Sequence, residues 1–490
     1  MTARTPYETF MHSQPETRAI RVSDVEGEVP PALRGTLLRN GGGVFEVGPD
    51  TLNFFDGHGV VAGLSFGDGA MRLRAAVVET PLWKASQAKG RMAQRGVFTN
   101  LPGAFANVFK LVPGNPCNHD VYAFGGAVYA SNDGGHAALD ATTLATVGEE
   151  RWGSLAPAGT LMAPMPRVDP ESGRLVAWVQ TQKPGKPDVL RFVELDASRK
   201  VVRQSEPVTL GAGPVIVHGH AFSSRWYVCA ELPARLSVLP ALLGTKTIFE
   251  SFAIPPGQTP ALWLVPREPG RKAVRVQVPG DVAIIFHCLN AWDDGDRVVL
   301  DCVSYDAELP FDVLAPAEHL RRIGRTERVA NALPRLVRHV IAPADGRVVE
   351  TRVLADVPSE ALDMDRRFRG KKHRFLYGSV PDAAGDEPAP GFFGYHHGLA
   401  RFDTETGTVD RWTAGATRLC SPPAFAARPG GTAEGDGWLL TWVIDGADGN
   451  TSVLIHDARE IAKGPVATVR LGVPLPGVIH SNFEPAVSLA

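Results

Sequence analysis

The stretch VDPESGRLVAW, residues 168–178, shows the pattern on which the fold assignment depends. An aspartate and a glycine, separated by a few small or polar residues, lead into a short apolar run. Glycine supplies the positive φ that a tight hairpin turn needs. The pattern returns as FGDGAMRL (66–73), APADGRVVET (342–351) and FDTETGTVDRW (402–412). Each copy predicts an antiparallel pair of strands.

The apolar runs of the chain are short throughout. They are rich in Val, Leu and Phe and are bounded by Gly, Asp or Pro, which is typical of strands, and roughly twenty of them lie between residues 35 and 472. Because hairpins recur along the whole chain, we predict an all-β propeller, with a closed sandwich or barrel as the alternative. No linker interrupts the pattern, so one domain is expected.

Three longer apolar segments interrupt the strands, at residues 97–114, 236–257 and 315–336. The last has apolar residues at helical spacing. We expect these segments to form a cap over one end of the propeller. An exposed apolar surface there would contact a membrane or guide a lipophilic substrate, and ordinary packing of loop residues is the alternative.

Composition excludes several classes of protein. Hydrophobic residues make up 44% and charged residues 21% of the chain, which is typical of a globular protein. The net charge of −3 gives no basic surface for nucleic acid. The five cysteines are scattered and predict neither a disulfide framework nor a thiolate zinc site. With no apolar leader or spanning segment, we expect a cytoplasmic protein that is membrane-associated at most at its periphery.

Three histidines lie in apolar, strand-like runs far apart in the sequence. They are His218 in VIVHGHAF, His287 in AIIFHCLNAW and His480 in PLPGVIHSNF. An imidazole in such a run faces either the core or a shared polar centre, and three together suggest a metal. The alternative for each is a hydrogen-bonded core histidine.

Six sequence blocks, in order along the chain, resemble those of one known family, the carotenoid cleavage oxygenases. The blocks are LLRNGGGVFEVG (37–48), NFFDGHGVVAGLSF (53–66), MPRVDPESGRLVAW (165–178), FHCLNAWDDGDRVVLD (286–301), EALDMDRRFRGKKHRFLYG (360–378) and PLPGVIHSNF (474–483). The resemblance runs from about residue 28 to the end of the chain. It implies a single domain over residues 1–490 in which residues 1–27 are an N-terminal extension.

The resemblance implies a seven-bladed β-propeller with a helical or loop cap and one non-haem Fe(II) on the axis, bound by four histidines. Members of the family cleave an alkene bond of carotenoids, apocarotenoids or stilbenes with O₂, and some isomerise. Three ligand positions fall on His218, His287 and His480. The fourth falls on Met165, and a thioether is a soft, weak ligand for Fe(II).

The outer partners of the metal are also altered. The family uses three glutamates to orient the ligand histidines; Glu360 matches one, whereas Asn132 and Pro422 stand at the other two positions. Asparagine brings no charge and proline offers no side-chain acceptor. Since such partners orient and strengthen metal-bound imidazoles, the resemblance predicts an altered metal centre.

Two other histidines are candidates to compensate. His220 follows His218 by two residues, so on a regular strand both would face the same side. His119 lies in the sequence CNHD, where the family has a polar stretch. The alternative for both is a hydrogen-bonded or surface histidine.

These observations predict an Fe(II) dioxygenase that acts on an apolar polyene or stilbene-like substrate. Two alternatives remain on the same scaffold. One is a non-oxidative isomerase or lyase with a different metal, and the other is a metal-free protein that binds apolar ligands.

Overall fold

The protein is a seven-bladed β-propeller, seen here in a computed structural model that describes residues 9–67, 71–157, 159–183, 185–211, 214–306, 334–381 and 395–490. These residues form seven antiparallel sheets of three to six strands, the blades, which follow one another along the chain. The predicted all-β fold is confirmed.

Each of the first four blades contains four to six strands. Blade 1 contains β36 (His480–Glu484), β3 (Gly35–Val44), β6 (His58–Phe66), β7 (Met71–Val77) and β1 (Arg18–Val22). Blade 2 contains β8 (Asp120–Phe124), β9 (Ala127–Asn132), β10 (Gly135–Leu139) and β11 (Thr146–Glu150). Blade 3 contains β12 (Thr160–Met162), β13 (Arg167–Val168), β14 (Leu175–Thr181), β15 (Val189–Leu195), β16 (Val201–Gln204) and β17 (Val208–Thr209). Blade 4 contains β18 (Val217–Phe222), β19 (Trp226–Glu231), β22 (Ala261–Pro266) and β23 (Val274–Gln277).

The remaining blades complete the ring. Blade 5 contains β24 (Val282–Asp294), β25 (Arg297–Asp306), β26 (Arg335–Ala342) and β27 (Arg347–Ala355). Blade 6 contains β28 (Phe375–Val380), β29 (Gly398–Asp403) and β30 (Val409–Thr413). Blade 7 contains β31 (Arg418–Cys420), β32 (Ala424–Ala427), β33 (Gly437–Asp445), β34 (Thr451–Asp457), β35 (Ala467–Arg470) and β2 (Asp24–Gly27). Two small ribbons lie outside the blades and pair β4 (Glu46–Val47) with β5 (Asp50–Thr51) and β20 (Arg235–Leu236) with β21 (Phe252–Ala253).

Both ends of the chain help to close the ring. The last strand, β36, pairs with β3 so that His480 lies opposite Asn40, while β2 pairs with β35 of blade 7. Residues 1–27, predicted as an extension, therefore contribute two strands from residue 18 onward. The sequence hid them because β1 and β2 are outer-edge strands whose side chains are mostly exposed and so lack an apolar run.

The hairpin predicted from VDPESGRLVAW is confirmed. Strands β13 and β14 pair with Val168 opposite Leu175. Gly173 has a φ of +67°, and its N–H donates to the Asp169 carbonyl at 2.8 Å. The glycine is thus required at the position where the turn needs a left-handed residue. Of FGDGAMRL, residues 68–70 lie outside the described residues, but the flanking strands β6 and β7 pair as expected.

The cap is built mainly from loops. It contains helices α1 (Pro81–Lys89) and α2 (Val238–Leu243) and the 3₁₀ turn Phe249–Ser251. Elsewhere among the described residues, three short 3₁₀ turns lie at Phe54–Asp56, Arg366–Phe368 and Ile461–Lys463. Segment 97–114 folds as turns, segment 236–257 contains α2, and segment 315–336 lies almost wholly outside the described residues. Throughout the described ranges, no helix combines the length and apolar character needed to cross a membrane.

Candidate metal centre and axial cavity

Four imidazole rings meet where the innermost strands of four blades converge. His119 directly precedes β8, His218 and His287 lie on β18 and β24, and His480 begins β36. The ring centres form a closed loop whose sides are 4.8 Å from His119 to His218, 5.5 Å from His218 to His287, 5.4 Å from His287 to His480 and 4.7 Å from His480 back to His119. The structure therefore brings together the three histidines singled out by the sequence and His119, one of the two candidates to compensate.

The donor atoms of this cluster suit a metal ion. Within the described part of the chain, three buried nitrogens have no hydrogen-bond partner: Nδ1 of His119 and Nε2 of His287 and His480. Burial, and then the neighbouring imidazoles, hold the pKa of His119 and of His480 well below 6.5, so both rings are neutral. A buried polar atom without a partner costs free energy, and a neutral imidazole nitrogen is a good ligand for a divalent metal.

The spacing of the rings is close to that of a bound centre. A metal about 2.1 Å from an imidazole nitrogen lies roughly 3.2 Å from the ring centre, so adjacent rings on one ion have centres about 4.5–5.2 Å apart. Two of the four observed sides fall in that range, and the two that include His287 are slightly wider. Among the described residues, however, no group of three or more His, Cys, Asp or Glu is arranged so that it could hold a metal ion.

Bulges in two strands aim these histidines. In β18, three steps from Val217 to His220 match only two steps of β19, from Glu231 to Cys229. A similar extra residue lies in β24 between Ile285 and Cys288. A bulge inserts one residue and redirects the side chains around it, and here the two bulges contain His218 and His287.

His220 does not join the cluster, contrary to the expectation that it shares a face with His218. Because the bulge shifts the register between them, the His220 ring packs 5.8 Å from that of Phe192. Its Nε2 lies 3.2 Å from the Val176 carbonyl oxygen. His220 is a core histidine of blades 3 and 4.

Gly219 allows the two bulged strands to approach each other. A Cβ at this position would lie 2.5 Å from the carbonyl oxygen of Phe286 and 3.1 Å from Cα of His287. Both atoms belong to backbone, which cannot move aside as a side chain could. Gly219 was not predicted from the sequence, although a glycine between two histidines in an apolar run is a recognisable signal of close backbone approach.

Glu360 orients His287. Its Oε1 accepts a hydrogen bond from Nδ1 of His287, and its Oε2 accepts one from the Tyr305 hydroxyl. Burial opposes ionisation of Glu360, but His287 and the hydrogen bonds outweigh it, and the pKa of the carboxyl is held below its ordinary value. Tyr305 was not found from the sequence, because nothing in its local pattern distinguishes it from other strand aromatics.

The two altered outer positions behave differently from Glu360. Asn132 donates to Oδ1 of Asn118 at 2.9 Å and so supports the backbone before β8 instead of a histidine. The next residue, Asp133, places its Oδ1 3.7 Å from Nδ1 of His218. Pro422 lines the cavity described next. Asp133 could have been found from the sequence, since it directly follows Asn132, where the resemblance predicts a carboxylate.

A cavity of about 680 Å³ adjoins the cluster. Its walls include Met165, His287 and His480, and further along it several charged side chains, among them Asp120, Arg167, Arg366, Arg369 and Glu484. Met165 is almost fully buried, with 7% of its surface exposed. Met165, where the resemblance predicts a ligand histidine, therefore borders open space next to the rings of His287 and His480.

An apolar group of aromatic side chains lies next to the cluster. The Phe286 ring is 5.6 Å from that of His218. Phe98 packs 4.4 Å from Phe249 and 4.9 Å from Phe55. The N–H groups of Val97 and Phe98 donate to the carboxylate of Asp56 at 2.9 Å each. Phe98, Phe249 and Phe286, called here the aromatic wall, belong to one apolar group that reaches the histidine cluster at Phe286.

Comparison with known proteins is consistent with this geometry. A family model described as retinal pigment epithelial membrane protein, RPE65, matches residues 10–485. The chain is 28% identical to apocarotenoid-15,15'-oxygenase of Synechocystis over 96% of its own length and 94% of the relative's. It is 27% identical to isoeugenol monooxygenase of Pseudomonas putida over 94% of each protein. The crystal structure of cobalt-substituted Synechocystis apocarotenoid oxygenase aligns with a TM-score of 0.87 at 27% identity, covering 99% of this chain and 100% of that one.

Proposed function

This chain belongs to the RPE65 family of carotenoid cleavage oxygenases, and on that premise we propose that it is an iron(II)-dependent oxygenase that cleaves a C=C bond of an apolar substrate. One observation carries the proposal. Four imidazole rings close a loop where four blades converge, and three of their buried nitrogens have no hydrogen-bond partner among the described residues.

The residues around the loop prepare it for iron. His218, His287 and His480 would hold the ion, and Fe(II), when bound, supplies the activation of O₂ that an alkene does not undergo unaided. Glu360 fixes the proton of His287 on Nδ1, which leaves the unpaired Nε2 with its lone pair available. Tyr305 holds the other carboxylate oxygen and so prevents Glu360 from rotating away.

The aromatic wall defines the substrate class. Phe286 lies against His218, and the cap phenylalanines Phe98 and Phe249 pack in the same apolar cluster. Such a surface binds flat, conjugated, apolar molecules and excludes water. The apocarotenoid and isoeugenol enzymes to which the chain is similar are named for conjugated alkenes. We therefore propose a polyene, stilbene-like or phenylpropenoid substrate, cleaved so that each carbon of the C=C bond gains one oxygen atom from O₂.

The test is turnover with oxygen measured directly. Protein loaded anaerobically with Fe(II) is given an apocarotenal, a stilbene and a phenylpropenoid in turn, and O₂ uptake is followed with carbonyl products. We expect one O₂ consumed per C=C bond cleaved. Turnover without O₂ uptake would instead indicate an isomerase or lyase. Tight ligand binding by protein that takes up no metal would indicate a binding protein, and either result overturns the proposal.

We propose a cytoplasmic protein that contacts a membrane at its cap. The five cysteines are all buried and unbridged, which suits a reducing compartment. Exposed apolar side chains of the cap include Phe105 at 85% and Leu239 at 64% exposure. The segments that contain Phe105 and Leu239 are held together by Arg95, which donates hydrogen bonds to the carbonyls of Lys110 and Ala241 at 2.9 Å each. A lipid bilayer would cover this surface and also hold apolar substrates.

A further inference from the structure

We infer that blade 2 supplies the fourth metal ligand of this protein, with His119 acting in place of the side chain at Met165 in blade 3. The inference rests on the iron(II) centre proposed above. It assigns a ligand that differs from the histidine which the family carries at the Met165 position.

The geometry of the ring loop is the first support. The two shortest distances between ring centres both involve His119: 4.7 Å to His480 and 4.8 Å to His218. Its ring spans the gap between those two histidines, so without it the loop would be open. Among the described residues, its buried Nδ1 has no hydrogen-bond partner. The core histidines His220 and His456 also have unpaired ring nitrogens, but their rings pack on Phe192 and Trp412. The ring of His119 instead packs on two other imidazoles.

The backbone before β8 is held in place for this role. The N–H of His119 donates to the Ser131 carbonyl at 2.9 Å. Nδ2 of Asn118 donates to the carbonyls of Phe55 and Gly57, at 2.8 Å each. Asn132, in turn, donates to Asn118. The asparagine at a former carboxylate position thus supports the residue next to the new ligand.

One serine links the lost ligand position to the gained one. The Ser131 carbonyl accepts from His119, and its hydroxyl donates to the Pro164 carbonyl at 2.5 Å, directly before Met165. The two loops are therefore fixed relative to each other. The loop of His119 can therefore supply the fourth ligand in place of the loop of Met165, while His218, His287 and His480 keep their positions.

The turn between β9 and β10 still provides a carboxylate, one residue after Asn132. Asn132 no longer supplies a charge, but Asp133 places its Oδ1 3.7 Å from Nδ1 of His218. Blade 2 thus contributes both a ring and a carboxylate. Met165 and Asn132 each stand where the resemblance predicts a group that binds or orients the metal site. His119 and Asp133 supply an imidazole and a carboxylate in their place.

The exchange also changes which side of the centre is open. Met165 borders the axial cavity together with His287 and His480, and its thioether is a poor ligand for Fe(II). With His119 bound, the side of the centre without a nitrogen ligand is the side next to Met165. We therefore expect small reactants to reach the centre from the axial cavity.

The experiment compares metal binding in matched variants of the full chain. Metal-free wild type, His119→Ala, His119→Gln and Met165→Leu are titrated anaerobically with Co(II), whose visible absorption reports the number and type of its ligands. Folding of each variant is followed by circular dichroism and thermal unfolding. The glutamine variant keeps the volume and polarity of the site should the alanine variant fold poorly.

We expect both His119 variants to bind Co(II) more than about 100-fold less tightly, beyond what loss of an outer partner costs, and with an altered spectrum. Met165→Leu should match wild type within about threefold. Near-normal binding by a folded His119 variant, or a loss in Met165→Leu as large as in His119→Ala, would overturn the inference while leaving the oxygenase proposal intact. Wild type that binds no Co(II) or Fe(II) would overturn both.

Discussion

Oδ1 of Asp133 lies 3.7 Å from Nδ1 of His218, so a carboxylate stands beside a proposed metal ligand one residue after the asparagine that replaces the expected one. The distance is just beyond a direct hydrogen bond, and 38% of the Asp133 side chain is exposed. Its effect on His218 is therefore expected to be smaller than that of the fully buried Glu360 on His287.

Replacing Asp133 by asparagine removes the charge and keeps the shape. We expect Fe(II) and Co(II) affinity to fall by about tenfold, the lower end of the range for outer partners of a metal. Calorimetric titration of the metal-free protein measures this. Asp345→Asn, an exposed turn carboxylate in an ion pair with Arg347, is the control for loss of charge, and equal affinities in the two variants would show that Asp133 has no role.

Replacing Glu360 by glutamine should cost more. The glutamine keeps one acceptor for Nδ1 of His287 but loses the negative charge, so we expect metal affinity to fall about 10- to 100-fold. Tyr305→Phe removes only the hydrogen bond that steadies the carboxylate and should cost less than Glu360→Gln. If the phenylalanine variant were the weaker binder, the carboxylate would not be the orienting group.

Gly219→Ala should separate β18 from β24. Its Cβ would meet backbone atoms of Phe286 and His287 at 2.5 and 3.1 Å, and overpacking of this kind costs about 1–3 kcal/mol. We expect a lower melting temperature and weaker metal binding together. Gly148→Ala, where no atom lies within 4 Å of the added Cβ, should change neither. Normal metal binding by Gly219→Ala would mean that the close approach does not position the histidines.

The cap should bind lipid through its exposed phenylalanine. Burial of one such side chain contributes about 1.5–3 kcal/mol, so Phe105→Ser should weaken binding to neutral phosphatidylcholine vesicles roughly 10- to 100-fold in a sedimentation assay. Val147→Ser, which replaces another exposed apolar residue at 74% exposure on β11, is the control. A matching loss in both variants would show that binding is not localised to the cap.

The sequence was most informative where a local pattern has one physical meaning. The Asp-to-Gly turns identify hairpins because only certain residues accept a left-handed conformation, and Gly173 adopts it. His218, His287 and His480 stand out because a polar ring in an apolar run needs a partner. Their meeting place could be expected only through the family resemblance, since hundreds of residues separate the first from the last.

The remaining features depend on relationships that one sequence does not show. A single extra residue in β18 turns His220 away from His218, and no local signal announces the bulge. His119 takes its meaning from the ring loop, and Asp133 from its position beside His218. The edge strands β1 and β2 were missed because strand pairing at an exposed edge depends on backbone hydrogen bonds more than on side-chain pattern.

The most direct test of the account is the anomalous diffraction of a crystal of the iron-loaded protein, measured on both sides of the iron absorption edge. We predict one peak on the propeller axis, about 2.0–2.2 Å from one nitrogen of each of His119, His218, His287 and His480, with the Met165 sulfur outside bonding distance. A peak bound by Met165 in place of His119, or iron located away from the four rings, would contradict it.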